Sequence, residues 1–352
     1  MKVEFTNRVV KRLTELNNNN SIMMKLIDIS DAVRGGRIQN LSKPEGLNTY
    51  NAFLKWYETS HAGDFKSACE ASLFFNKHVE AVNEITPSYI SQFYTESAEQ
   101  FTCGKYQFTK KNCQSGSTNL YNNGGMNILN GKPSLSPFVT TSDCPVYCLC
   151  DTSNGTEISE VNPCETASIE KAVKNAYGNV IIIGDYCLYA TALMIGNKNV
   201  NKITIVEEDP DMAAYLSQFV SKNIPESGVT VANNPLYEYI KKNSSYISFI
   251  YIDRYKKADT SIADYTETLK LTSVRKGIKS ANLNDNLVLY PVQSILLKYL
   301  SGQSADENYQ KYIRQLYSEL CTIFDGDDTS ITMPQQLDYI LNPSSIKDML
   351  AR

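Results

Sequence analysis

The chain has 352 residues, 42% of them hydrophobic and 20% charged, with a formal net charge of −4. That length suits two or more domains, and the composition excludes a disordered tail, a collagen-like fibre and a cysteine-dense mini-protein. Thirty-four basic against 38 acidic side chains provide no global attraction to nucleic acid or to an anionic membrane.

No apolar run approaches the roughly 18–20 residues of a membrane span. The start, Met1 to Arg8, lacks the uninterrupted apolar stretch of a signal peptide, so an intracellular, cytoplasmic protein is expected. Twenty-three tyrosines and a single tryptophan, Trp56, suit an AT-rich microbial or viral genome.

Residues 1–101 read as a helical N-terminal region. Phe5, Val9, Leu13 and Leu16 share one helical stripe, which the polar run Asn17 to Asn20 is expected to end. A second helix carries Met23, Met24 and Ile27 and stops at Gly35-Gly36. Further helical patterns fall at Tyr50 to Tyr57 and Phe65 to Val82, and Thr86-Pro87 starts another that runs to Phe101.

Residues 102–164 change to short strands and loops punctuated by Gly, Ser, Asn and Pro. Six of the nine cysteines lie here. Cys144, Cys148 and Cys150 form a C-x3-C-x-C run, with Cys103, Cys113 and Cys164 as outliers. Zinc takes four thiolates in a tetrahedron, and Cys144, Cys148, Cys150 and Cys164 are the set that spacing favours. A disulfide network and free buried thiols are the other two readings of the same cysteines.

Residues 165–352 alternate strands with helices, the pattern of a mainly parallel sheet covered on both faces. Val180-Ile181-Ile182-Ile183-Gly184 is wholly apolar, as a central strand requires. Ile203 to Val206, Val229 to Val231, Phe249 to Ile252 and Leu287 to Tyr290 are the next four expected strands. Leu320 to Phe324, a turn at Asp325 to Asp328, and Ser330 to Met333 read as an antiparallel hairpin.

Five strand–helix units closed by such a hairpin resemble the class I S-adenosylmethionine-dependent methyltransferase fold, which the spermidine-synthase-type enzymes share. The resemblance implies an α/β, Rossmann-like sheet. It implies that Gly184, Asp185 and Tyr186 lie against the methionine part of S-adenosylmethionine. Glu207, ending the second strand in Val206-Glu207-Glu208-Asp209, is where the family holds both ribose hydroxyls. Asn234 stands where the family often has an acid facing the adenine, and Asp253 with Lys256 follows strand four at the catalytic mouth.

The departures are specific. The family loop is Gly-x-Gly-x-Gly, and this chain keeps only Gly184, with Tyr186 and Leu188 at the later positions. The loop and the Phe-Ile-Tyr-Ile-Asp strand are also similar to those of cation-dependent O-methyltransferases, but Tyr255 and Pro291-Val292 stand at their metal-ligand positions. The Asp-x-x-Asp that spermidine-synthase-type enzymes use for an amine is Asp253-Arg254-Tyr255-Lys256 here. Two functions follow. One is an S-adenosylmethionine-dependent methyltransferase whose acceptor the sequence does not name. The other is a non-catalytic methyltransferase-like scaffold in a larger, viral-type assembly, with a protein partner or a second copy of itself.

Overall fold

The computed structural model describes residues 2–33, 51, 55, 65–78, 83–85, 100–116, 118–121, 136–225, 227–254, 262–273, 277–283, 286–302 and 330–351. The fold is mixed α/β, with parallel sheets and an antiparallel sheet. At its centre β9 (Gly178–Ile183), β10 (Val200–Glu207), β11 (Thr230–Asn233), β12 (Phe249–Ile252) and β13 (Lys279–Asn282) form one five-stranded sheet. Their order is β11-β10-β9-β12-β13, and every pairing is parallel. The expected strands at Val180, Ile203 and Phe249 therefore do share a sheet.

Side chains alternate across that sheet. Val180, Ile182, Ile203, Ile205, Phe249 and Tyr251 enter one apolar cluster, with α3 (Pro163–Val173), α4 (Tyr189–Ile195) and α5 (Pro210–Asn223). Ile181, Ile183, Val206, Ile250 and Ile252 enter the other. There they meet α1 (Asn7–Val33), α6 (Leu236–Asn243), α7 (Ile262–Ser273), α8 (Asn286–Leu300), α9 (Pro334–Ile340) and α10 (Pro343–Leu350). A strand with both faces buried must be apolar at every position, which is why Val180 to Ile183 carries no polar residue.

The Asn17 to Asn20 run does not end a helix, since α1 continues from Asn7 to Val33. Val9, Leu13, Leu16, Asn20, Met23 and Ile27 are all buried, at the 4-3-4-3-4 spacing of one helix face. Asn20 Nδ2 donates to the Tyr290 carbonyl at 3.1 Å and to Gln293 Oε1 at 3.2 Å, so its polarity is satisfied against α8. The expected strand at Leu287 to Tyr290 is likewise the start of α8, a helix with Pro291 inside it. Strand five is instead the more polar Lys279–Asn282. An apolar run reaching from Leu287 to Leu300 is too long for a strand, and length was the cue to a helix.

A four-stranded antiparallel sheet is built from β3 (Thr102–Cys103), β4 (Tyr106–Cys113), β7 (Cys144–Asp151) and β8 (Thr156–Val161). Its inner face sets Phe108 5.1 Å and Phe101 5.2 Å from the Phe219 ring on α5. A three-stranded sheet orders β2 (Asn83–Ile85), β6 (Ser136–Thr140) and β5 (Thr118–Tyr121). Strand β2 thus interrupts the region expected to be helical; its pairing with β6 is non-local and left no local pattern to read. The helix α2 (Ala68–His78) lies inside the expected 65–82 segment. Strand β14 (Ser330–Ile331) pairs in parallel with β1 (Lys2–Val3). The first arm of the expected hairpin and its turn, residues 320–328, lie outside the described residues, as do residues 86–99 of the helix expected to run to Phe101, whose last two residues, Gln100 and Phe101, are not helical. No helix among the described residues is long and apolar enough to cross a membrane.

Candidate functional site

In an open parallel sheet, ligands bind beyond the carboxyl ends of the strands, at the point where strand order reverses. Here that point lies between β9 and β12. Both flanking strands end in residues singled out by sequence, Gly184-Asp185-Tyr186 after β9 and Asp253 after β12.

Gly184 has φ +82°, and a Cβ there would sit 2.3 Å from the Asp253 carbonyl oxygen. The glycine is demanded by this close approach of two backbones, whatever binds nearby. The chain then turns sharply, with Tyr186 N donating to the Gly184 carbonyl and Leu188 N to the Asp185 carbonyl. Leu188 reaches φ 59°, the left-handed region that a leucine rarely adopts, and is buried to 2% exposure. Burying a leucine gains about 1.5–3 kcal/mol, which offsets the roughly 1–2 kcal/mol that the left-handed backbone costs.

Asp185 is buried and turned into the protein. Its carboxylate accepts from Thr191 N and Thr191 Oγ1, both at 2.7 Å, and from Ala190 N at 3.4 Å, tying the loop to the start of α4. Burial, reinforced by the nearby Asp253 charge, pushes its pKa up to about 6 despite those donors.

Glu207 ends β10 and is buried to 8% exposure. Its Oε1 accepts from Asp209 N at 2.9 Å. The half-buried Tyr186 phenol lies against the same carboxylate. Burial first, then the Glu207 charge, raises the Tyr186 pKa, with Arg254 opposing. The carboxylate read as a ribose ligand thus accepts one backbone amide, and a phenol of this chain stands near it. Asn234 contributes its backbone N–H to the Glu207 carbonyl at 3.2 Å, and Asn233 Nδ2 bridges the carbonyls of Glu207 and Glu208. Asp253 is buried at the end of β12. Lys256 lies outside the described residues.

A cavity of about 690 Å³ opens beside this cluster, between α6, α7 and Ala351. Glu208, Tyr237, Lys241, Arg254, Glu267 and Lys270 supply its polar wall. Among the described residues none of those singled out by sequence lines it, although Glu208 and Arg254, the neighbours of Glu207 and Asp253, do.

The cysteine run lies on β7, and the antiparallel ladder decides its neighbours. Cys144 faces Cys113 across β4, while Cys148 faces Glu160 and Cys150 faces Glu157 across β8. A register shift between Leu149 and Cys150 draws the last two pairs together. The Cys148 sulfur and one carboxylate oxygen each of Glu157 and Glu160 lie within 4.8 Å of one another. Lys111 Nζ contacts Glu157, and Asn162 Nδ2 donates to Glu160 at 2.8 Å. Of Cys144, Cys148 and Cys150, only Cys148 joins this cluster; the Cys164 side chain lies outside the described residues. Glu157 and Glu160 were missed because the spacing argument counted only cysteines. Their signal was the strand after the run, which places a carboxylate opposite each of two thiols.

No protein-family model matches this chain, and neither does any curated protein.

Proposed function

We propose that this chain is a methyltransferase-like α/β protein acting as a non-catalytic binding subunit, with the cofactor position taken by its own side chains. In support, the order of the five parallel strands and the acid ending the second agree with a Rossmann-like methyltransferase sheet. The observation that carries the reading is the Tyr186 phenol seated against Glu207, backed by Leu188 buried where the family has a bare glycine. A ribose diol would have to share this carboxylate with the Asp209 amide on Oε1 and with the nearby phenol. The cavity beside Arg254 and Lys241 is the concave surface left for another ligand or a partner segment. What the subunit supports is then an assembly, not methyl transfer.

The test is a thermal-shift titration with S-adenosylmethionine and S-adenosylhomocysteine on the wild type and on Glu207→Ala. No shift in either protein is the expected result. A saturable shift in the wild type that Glu207→Ala removes restores the enzyme reading, because losing a charge-assisted hydrogen-bond pair costs about 1.5–3 kcal/mol of affinity.

A further inference from the structure

We infer that Cys148, Glu157 and Glu160 form a binding site for a zinc-class divalent cation, built across the β7–β8 ladder. Three donor atoms already lie within 4.8 Å of one another, and a side-chain rotation of about 1 Å by the exposed Glu157 brings them to the roughly 3.3–3.8 Å separation that zinc–oxygen and zinc–sulfur bonds require. One thiolate with two carboxylates suits zinc better than calcium or magnesium, which take oxygen alone.

Two further observations distinguish the cluster from a solvated acidic patch. The Cys148 residue is 0% exposed, and the hydrogen bond described at it reaches its carbonyl, from Thr109 Oγ1 at 3.5 Å, not its sulfur. The sulfur of this buried residue lies within 4.8 Å of a carboxylate oxygen of each glutamate. Glu157, by contrast, is exposed, which leaves a path for the ion from solvent.

Charge balance supports the same assignment. On binding, the Cys148 thiol gives its proton to solvent and its sulfur bonds the ion. Thiolate, two carboxylates and a dication sum to one negative charge, which Lys111 beside Glu157 neutralises. The ion would pin β7 to β8 at the register shift. This site does not depend on whether the sheet ends hold a cofactor.

The full chain is incubated with Zn²⁺, dialysed and analysed for bound metal, and Co²⁺ is then used to read thiolate coordination by its charge-transfer absorption. One equivalent of metal, a thiolate band lost in Cys148→Ser, and weakened uptake in Glu157→Gln are expected. Uptake should also fall as pH is lowered, one proton being released per ion. Glu157→Gln alters an exposed residue and keeps the variant set informative if Cys148→Ser does not fold. Metal-free protein after dialysis, or a thiolate band that survives in Cys148→Ser and passes to Cys144 or Cys150, overturns the assignment.

Discussion

Asp185 is a carboxyl that the fold prefers protonated. Its folded pKa of about 6 lies above its ordinary 3.8, so below about pH 4 its contribution to stability is complete. As pH rises the unfolded chain releases the proton first, and the contribution is lost through about pH 6, on the order of 3 kcal/mol in all. Unfolding midpoints measured from pH 4 to 7.5 should therefore carry a falling component that Asp185→Asn removes. An identical pH profile in the variant would contradict this. At Gly184 the expectation is steric. Gly184→Ala meets both the left-handed backbone, at roughly 1–2 kcal/mol, and the Asp253 carbonyl, at about 1–3 kcal/mol of overpacking. Denaturant titration should show a loss of about 2–5 kcal/mol; a near-neutral variant would mean that the two loops do not touch. Both residues were visible in the sequence as members of a loop. Their roles were not, because a glycine serving a ligand and one serving a neighbouring strand look alike until the neighbour is placed.

Among the elements, the strands of the central sheet were legible because burial on both faces leaves an uninterrupted apolar run, as at Val180 to Ile183. Helix α1 was half legible. Asn17 to Asn20 looks like a loop by composition, yet Asn20 falls on the buried stripe and is satisfied by α8. Gln293 extends the chain by donating to the Leu341 carbonyl at 2.9 Å, linking α1, α8 and the C-terminal helices. Asn20→Ala leaves the buried Tyr290 carbonyl and the Gln293 side chain short of a donor, at a cost of about 1–3 kcal/mol. Chemical denaturation reads this directly, and no loss would mean that the Asn20 amide is dispensable. Strand five was misplaced for the converse reason. Lys279–Asn282 is polar enough to pass for a loop, and its identity rests on pairing with β12, a contact that no local pattern announces.

At the scale of the molecule, the antiparallel sheet is held to the central layer by aromatic packing of Phe101, Phe108 and Tyr106 on Tyr215 and Phe219. Phe219→Ala should cost about 3–5 kcal/mol and expose the amides of β4 and β7 to hydrogen exchange before those of β9. Equal protection of both sheets in the variant would place their coupling elsewhere. Tyr106 also donates to Asp209 at 3.3 Å, so the middle region reaches the carboxyl end of β10, beside Glu207. In the proposed reading, Tyr186 closes the candidate site from within, and β4 flanks it through Tyr106. On that reading a ligand for Glu207 competes with the phenol. The most direct measurement is a calorimetric titration of S-adenosylhomocysteine into the wild type and Tyr186→Ala in parallel. The closed-site account predicts no binding heat in the wild type. Stoichiometric binding by the wild type, undiminished or weakened by removal of the phenol, would contradict it.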